Sequence, residues 1–268
     1  MKGAIIGDIV GSAYERHHTK VKDFKLFKNR CRFTDDTVFT AAVADALLLS
    51  RSTGVSDDAQ MLQLLTQKMQ DYFRRHSGRG GSKSFTAWAN SDDPQPYNGY
   101  TNGALMRCSA AGWLAGSVEE ARHLGKLTAL PSHNHPEAIT AASLAAEVIF
   151  RARTGASKEE LLTLVQAEYE IPEIEALRPV YRYDISCKGT FPVAFASFYE
   201  SVSFEDTIRT AVSLGGDTDT NAAIAGSFAE AYYGVPNDLW ETAKTYCTDD
   251  ILEVVTRWEA FDKSEPLA

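Results

Sequence analysis

Apolar residues recur at intervals of three and four along most of the chain, which is the spacing of one face of an α-helix. Four stripes show this spacing: Leu62, Leu65, Met69 and Tyr72; Phe191, Phe195, Phe198 and Tyr199; Ile224, Phe228, Ala231 and Tyr232; and Ile251, Val254, Val255 and Trp258. Segments that alternate apolar and polar residues, as strands do, are scarce. The pattern therefore predicts an all-α protein with about ten helices or more.

Several helix boundaries can be predicted from their capping residues. A serine followed three residues later by a carboxylate indicates a helix start, and three such pairs occur: Ser117 with Glu120, Ser157 with Glu160, and Ser203 with Asp206. Pro192 is predicted to be a first helical residue, because its missing N–H costs least there. Gly234 and Pro236 are expected to end the helix before them.

The main irregular region is the stretch from Ser77 to Asn102, which is polar and rich in glycine and proline. This composition fits an ordered surface loop and fits a domain linker equally. The acidic motifs described next come from opposite ends of the chain. We therefore predict a compact single domain over residues 1–268.

Composition excludes several classes of protein. With 268 residues, 44% hydrophobic and 24% charged, the chain is typical of a globular protein. A net charge of −9 argues against nucleic acid as the main partner. Four cysteines without a CxxC pair fit free thiols in a reducing compartment. No apolar run is long enough to span a bilayer. We expect a cytoplasmic protein with no membrane association, monomeric by default.

Two pairs of carboxylates stand at predicted helix starts. Asp35 and Asp36 precede the helical stretch 38–49, and Asp217 and Asp219 precede the stretch 222–233. One carboxylate can cap a helix, whereas two neighbouring ones repel each other unless a cation lies between them. Together with the flanking threonines they form an all-oxygen set, which suits Mg²⁺, Mn²⁺ or Ca²⁺. Both capping and metal binding fit this pattern, and the spacing matches neither an EF-hand nor a P-loop.

The first residues of the chain form a third element. Gly3, Gly7 and Gly11 are spaced by four, so they leave one face of a helix without side chains. This spacing predicts close packing against another helix. Glu15 follows directly and is either solvated or functional.

These segments together resemble the signatures of the ADP-ribosylglycohydrolase superfamily. The matching motifs are Gly7-Asp8-Ile9-Val10-Gly11-Ser12-Ala13-Tyr14-Glu15, Phe33-Thr34-Asp35-Asp36-Thr37, Asn102-Gly103-Ala104-Leu105-Met106-Arg107, Ser132-His133-Asn134-His135-Pro136-Glu137-Ala138 and Gly215-Gly216-Asp217-Thr218-Asp219-Thr220. They follow the order of the family and span nearly the whole chain. The family's fold is a compact all-α domain.

The resemblance implies a site with two Mg²⁺ or Mn²⁺ ions and a hydrolase that cleaves ADP-ribose from an acceptor at C1″. The implied ligands are Thr34, Asp35, Asp36, Asp217, Asp219 and Thr220. The implied catalytic candidates are Glu15, Asp36 and Asp217. The expected partner is an ADP-ribosylated protein or an ADP-ribose derivative. A catalytically silent relative that binds ADP-ribose or serves a structural role is the alternative function.

The resemblance also implies a substrate-binding loop. Its residues are Gly99, Tyr100, Thr101, Asn102 and Gly103, whose backbone N–H groups could hold a diphosphate. His133 either touches the ligand or has a structural role, and Arg107 either binds phosphate or pairs with a carboxylate. Phe85, Trp88 and Tyr100 either stack on adenine or pack locally.

Overall fold

The regular secondary structure of the chain is helical throughout residues 1–262, the part that the structure, a computed structural model, describes. This confirms the all-α prediction. The helices are α1 (Lys2–Ser12), α2 (Asp35–Thr53), α3 (Asp58–Arg75), α4 (Lys83–Ala89), α5 (Ser109–Leu114), α6 (Val118–Ala129), α7 (Pro136–Arg153), α8 (Lys158–Gln166), α9 (Ile174–Leu177), α10 (Cys187–Tyr199), α11 (Phe204–Ser213), α12 (Thr218–Tyr233), α13 (Asn237–Lys244) and α14 (Asp249–Asp262).

The contact between α1 and α12 lies at the centre of the fold. A Cβ atom added to Gly3 would lie 2.1 Å from the Gly226 oxygen, and one on Gly7 would lie 2.0 Å from the Ala222 oxygen. The two backbones therefore touch, as the glycine spacing predicted. Because rising numbers in α1 meet falling numbers in α12, the helices are antiparallel. The end of α1 consequently meets the start of α12, where the second acidic motif lies.

A single large hydrophobic cluster joins residues from Met1 to Trp258. It includes most of the predicted helix stripes, and stacked and edge-on aromatic pairs connect α10 with α12 through Phe191, Phe195 and Phe228. Tyr232 is the partial exception, since 37% of it is exposed. Within residues 1–262, no helix combines the length and the apolar character needed to cross a membrane.

The three predicted serine caps all form, but only the cap at Ser157 is reciprocal. There the hydroxyl accepts from the Glu160 N–H, and the Glu160 carboxylate accepts from the Ser157 N–H. The carboxylates of Glu120 and Asp206 instead accept from the N–H groups of Gly116 and Val202, one residue before the serine.

Two boundary predictions are wrong. Pro192 lies inside α10, because the hydroxyl of Ser186 caps that helix and starts it at Cys187. The region 77–102 is not wholly irregular, since Ser82 caps the seven-residue helix α4. Both helices begin at a serine that is not followed by a carboxylate at the third position, so the capping pattern did not reveal them.

Candidate functional site

A cavity of about 490 Å³ opens where α1, α2 and α12 converge. Most predicted site residues line it: Glu15, Thr34, Asp35, Asp36, Thr101, Asn102, Gly103, His133, Asp217, Asp219 and Thr220. Gly99 and Tyr100 are the predicted site residues that do not line the cavity. The structure thus brings together the two acidic motifs and most of the predicted substrate loop.

Asp8 holds the first acidic motif in place. This buried carboxylate accepts four hydrogen bonds, from the backbone N–H groups of Thr34 and Thr37 at 2.9 and 3.1 Å and from their hydroxyls at 2.7 and 2.5 Å. Sequence reasoning did not include Asp8 among the site residues. The available signal was a lone carboxylate within an otherwise apolar helix, flanked by Ile5, Ile6, Ile9 and Val10.

Asp36 lies at the centre of the acidic cluster. Its Oδ2 atom accepts from the Thr220 hydroxyl at 3.2 Å and from the Thr34 hydroxyl at 3.4 Å. Its Oδ1 atom is buried without a hydrogen-bond partner among the described residues. Oxygen atoms of Asp8, Asp36 and Asp219 lie within 4.8 Å of one another. Such an arrangement leaves a buried acceptor oxygen without a donor in a cluster of carboxylates, which is unfavourable unless a cation is present.

A second group of carboxylates adjoins the first. Oxygen atoms of Glu15, Asp217 and Asp219 also lie within 4.8 Å of one another. The Asn102 amide donates to Asp217 Oδ2 at 2.7 Å and to the Thr190 hydroxyl at 3.1 Å. Asp217 is the N-cap residue of α12 but accepts no capping bond, so capping does not explain this carboxylate. Asp219 belongs to both groups and links them.

The electrostatics of the cluster favour a bound cation. Burial, and then the charge of Asp8, raises the pKa of Asp35 to about 7. Burial likewise raises the pKa values of Asp8, Asp36, Asp217 and Asp219. Within residues 1–262, none of these carboxylates forms an ion pair with a lysine or arginine. The donors are all oxygens, so the residues present fit a hard cation such as Mg²⁺ or Mn²⁺.

A glycine-rich turn covers Asp35. The Asp35 N–H donates to the Arg79 carbonyl at 3.1 Å. At Gly80, where φ is +139°, an added Cβ would lie 1.9 Å from Asp35 Oδ1. Only glycine allows this close approach in that backbone conformation. Arg79 lies over the Phe33 ring at 3.9 Å and thereby anchors the turn to the first acidic motif.

The wall carrying Thr101 is ordered by a chain of buried polar groups. Arg107 Nη2 donates to Ser132 Oγ at 2.9 Å, and Ser132 Oγ lies 2.7 Å from His133 Nδ1. His133 Nε2 lies 2.9 Å from Thr101 Oγ1. If Ser132 donates to Nδ1, then His133 donates to Thr101, and the Thr101 hydroxyl proton is free to point into the cavity. In that tautomer, the chain of polar groups leaves the Thr101 hydroxyl able to donate to a ligand in the cavity.

His133 is expected to stay neutral across the physiological range. Burial, and then the neighbouring Arg107 charge, lowers the pKa of His133 to about 3. Because its unfolded pKa is higher, this group contributes stability that is present above about pH 6.5 and is lost as the pH falls toward 3. Nitrogen chemical shifts of His133, followed by NMR between pH 5 and 8, should remain those of a neutral imidazole. A titration midpoint near pH 6.5 would contradict this prediction.

The remaining sequence alternatives have structural outcomes. Arg107 is fully buried and forms no carboxylate pair within the described residues; it donates to the carbonyls of Thr128 and Ala129. Phe85 packs edge-on against Phe39 and also lines the cavity, so its stacking on adenine stays a prediction. Trp88 packs against Phe85 and is buried. Tyr100 is 50% exposed, and its stacking on adenine stays a prediction.

The His133-Asn134-His135 sequence does not form a metal site. His135 caps α7 by accepting from the Glu137 N–H, while both ring nitrogens of His133 have hydroxyl partners. Among the described residues, the groups that could hold an ion consist of carboxylates alone.

Comparison with known proteins identifies the family. The sequence profile described as ADP-ribosylglycohydrolase matches residues 1–266. The chain belongs to the ADP-ribosylglycohydrolase family. The resemblance drawn from the acidic motifs is therefore confirmed, and the fold is the all-α fold of this family.

Curated relatives of this ADP-ribosylglycohydrolase family member include proteins from animals and bacteria. The chain is 25% identical to the human ADP-ribosylhydrolase ARH3 over 330 residues, covering 94% of this chain and 90% of the relative. It is 27% identical to the ADP-ribosylarginine hydrolase Tri1 of Pseudomonas putida over 272 residues, covering 87% of this chain and 69% of the relative. A solved structure titled "ADP-ribosylglycohydrolase-related protein complex" matches with a TM-score of 0.68 and 23% identity, covering 95% of each chain; this likeness supports the fold.

Proposed function

We propose that this protein is a metal-dependent hydrolase that cleaves the C1″ bond of an ADP-ribosylated acceptor and releases ADP-ribose. The observation that carries the proposal is the cluster of carboxylates in a cavity of about 490 Å³, with no lysine or arginine of residues 1–262 paired to them. Family membership supports the reaction class. The relatives named ADP-ribosylhydrolase and ADP-ribosylarginine hydrolase support the ADP-ribosyl substrate.

The ligands of two Mg²⁺ or Mn²⁺ ions would come from both acidic motifs: Thr34, Asp35 and Asp36 from the first, and Asp217, Asp219 and Thr220 from the second. Asp8 would set the position of the first motif through its four hydrogen bonds. Bound ions would supply positive charge that orients ribose hydroxyls and lowers the pKa of water.

The protein's own residues would divide the remaining work. Glu15 is partly exposed, and its carboxylate lies beside those of Asp217 and Asp219. It would protonate the leaving atom of the acceptor or take a proton from the attacking water. Asp36 and Asp217 are the other candidates for the base. Thr101, Asn102 and Gly103 would bind the ADP-ribosyl part, with His133 orienting the Thr101 hydroxyl. Gly99, which packs against His133, would permit that close approach.

The test is release of free ADP-ribose from serine-linked and arginine-linked ADP-ribosyl peptides. We expect release from at least one peptide with Mg²⁺ or Mn²⁺ and none with excess chelator. Release that is unaffected by the chelator would contradict the metal assignment. Binding of ADP-ribose without release from either peptide would instead support the silent relative.

Replacing Glu15 by Gln is expected to slow hydrolysis about 10²–10⁴-fold, the usual effect of removing a general acid or base. The Mn²⁺-dependent rise in melting temperature should be largely retained, since the aspartates of both motifs remain. The rate is measured by ADP-ribose release at saturating metal. Glu241→Gln, on the exposed face of α13, is the matched control. An unchanged rate in Glu15→Gln would restrict Glu15 to a structural role.

A further inference from the structure

The segment that joins α1 to α2 is strongly basic in an otherwise acidic protein. Residues 16–32 contain seven lysines and arginines and a single acidic residue, Asp23. Residues 16–32 thus carry a charge of +6 in a chain of net charge −9, leaving −15 for the residues outside this range. Such a local excess of one sign indicates a surface that attracts an anion.

The segment is fixed to the body of the protein by its apolar residues. Phe24 packs against Tyr14 with ring centroids 4.7 Å apart, and Phe27 stacks on Tyr246 at 5.9 Å. The Tyr14 hydroxyl donates to the Lys25 carbonyl at 2.7 Å. These contacts hold the backbone, and Lys25, which lies between the two phenylalanines, is exposed.

Four of the cations gather around the end of α1. The Lys28 ammonium lies 4.1 Å from the centre of the Tyr14 ring, and the Arg30 guanidinium lies 5.8 Å from it. The backbone N–H of Arg32 donates to the Ser12 hydroxyl at 3.1 Å, which places this residue beside the end of α1. Arg16 follows Glu15 directly. We call Arg16, Lys28, Arg30 and Arg32 the basic surface.

The basic surface is not neutralised by the protein itself. Within residues 1–262, Lys22 forms an ion pair with Asp206, and Lys20 donates to carbonyl groups of Arg178, Tyr181 and Leu214. The four residues of the basic surface have no carboxylate partner in that range. Three of them, Arg16, Arg30 and Arg32, are exposed. They are therefore available to an external anion.

The basic surface is continuous with the rim of the active-site cavity. Arg16 and Arg32 line the cavity together with Glu15, the candidate acid or base. Lys28 and Arg30 lie outside the cavity, where a small substrate held on the aspartates would not reach them. A chain attached to that substrate and leaving the cavity over Arg16 and Arg32 would continue past Lys28 and Arg30. The arrangement is thus suited to a macromolecular acceptor with negative charge next to the modified residue.

We propose, on the basis of the function proposed above, that the basic surface docks acidic residues flanking the modified side chain of an ADP-ribosylated protein. A peptide fits better than nucleic acid. The surface has four cations, whereas the chain outside residues 16–32, at −15, repels an extended polyanion. The basic surface then selects among protein substrates by their sequence around the modification.

The test compares peptides that carry the same ADP-ribosyl linkage and differ only in their flanks, aspartate and glutamate in one and lysine and arginine in the other. We expect the acidic peptide to have a kcat/KM about 3–10-fold higher, mainly through KM, as a few exposed ion pairs provide. The preference should largely disappear at about 1 M salt, where the screening length is about 3 Å. Equal kcat/KM for both peptides at low salt would overturn the proposal.

A charge-reversal pair locates the effect. Lys28→Glu with Arg30→Glu should abolish the preference for acidic flanks and leave hydrolysis of the unflanked ADP-ribosyl amino acid unchanged. Arg74→Glu with Lys126→Glu, exposed positions on α3 and α6, changes the net charge equally and should keep the preference. Equal slowing of the unflanked substrate by the first pair would overturn the proposal, because the cations would then serve the ADP-ribosyl group itself.

Two further measurements separate the possible failures. Hydrolysis of the unflanked substrate tests the proposed function independently of the flanks. Fluorescence anisotropy with the unmodified acidic peptide tests docking without catalysis, and we expect binding that the Lys28→Glu, Arg30→Glu pair abolishes. No binding by the wild-type protein would overturn the proposal. Stronger binding of a single-stranded DNA of equal charge would also overturn it, in favour of a nucleic-acid partner.

Discussion

Replacing Asp36 by Asn should abolish turnover and at the same time make the metal-free protein more stable. The carboxylate lies among Asp8 and Asp219, and its Oδ1 atom has no donor within the described residues. An amide of the same shape removes a buried negative charge and can donate to the neighbouring carboxylates. We expect an activity loss of about 10²–10³-fold or more. We expect the free energy of unfolding of the metal-free protein to rise by roughly 1 kcal/mol or more. Each kcal/mol corresponds to a rise in melting temperature of about 2–4 °C.

The same carboxylates set the pH dependence of the metal-free protein. The folded-state pKa values of Asp8, Asp35, Asp36, Asp217 and Asp219 are raised above the unfolded value. The folded protein therefore binds more protons than the unfolded one. The stability from these groups is fully present below the unfolded pKa of about 3.9 and is lost as the pH rises through the folded values, about 7 for Asp35.

Thermal unfolding from pH 4 to 8, with chelator and with Mn²⁺, measures this effect. The chelated wild type should lose stability as the pH rises, whereas the metal-loaded protein should show a smaller loss and Asp36→Asn an intermediate one. His133 acts in the opposite direction with pH, but it is the same in both forms, so the difference between the two curves isolates the carboxylates. A chelated Asp36→Asn protein less stable than the chelated wild type would contradict the assignment.

Replacing Gly7 by Ala should be among the most destabilising single substitutions in the protein. The added Cβ would lie 2.0 Å from the Ala222 carbonyl oxygen, and both groups belong to helical backbones that cannot rotate away. The helices α1 and α12 must then separate by more than the small shifts that a packed core tolerates. Overpacking in a core usually costs about 1–3 kcal/mol, and a backbone-to-backbone clash should reach the upper end or exceed it.

Urea unfolding measures the loss of stability, and Gly116→Ala is the matched control. At Gly116 an added Cβ would meet only the flexible Glu120 carboxylate, at 3.5 Å. We expect little change in the control. Activity should fall in Gly7→Ala even where the protein stays folded, because α12 carries Asp219 and Thr220 at its first turn. Equal urea midpoints of unfolding for Gly7→Ala and Gly116→Ala would show that α1 and α12 do not pack this closely.

The architecture could be predicted because its determinants are local or repetitive. Helical periodicity predicted the all-α fold class, and the four-residue spacing of Gly3, Gly7 and Gly11 predicted the close contact between two helices. The acidic motifs were recognisable because paired carboxylates are unfavourable without a cation. Their meeting in space could not be read from periodicity, since it depends on α1 and α12 running antiparallel.

The failures have physical reasons too. Asp8 contributes through hydrogen bonds to residues 26 and 29 positions away, and no local pattern shows such partners. Pro192 appeared to start a helix because sequence does not show that Ser186 already caps one. The roles of Ser132 and Arg107 in orienting Thr101 depend on hydrogen bonds between the segment 101–107 and the end of α6 with the turn after it, which spacing alone does not reveal.

The antiparallel pair of α1 and α12 has a consequence for synthesis on the ribosome. Asp8 and Asp36 are made early, whereas Asp219 follows Asp36 by 183 residues, a delay of roughly 10–40 s at 5–20 residues per second. Until α12 emerges, α1 lacks the helix that packs against it in the folded protein. Its apolar residues, which are buried in the folded protein, are Ile5, Ile6, Ile9 and Val10. The nascent chain must therefore carry the apolar helix α1 without its final neighbour for that time. The yield of folded protein would then depend on how well chaperones or transient contacts protect that helix until α12 is made.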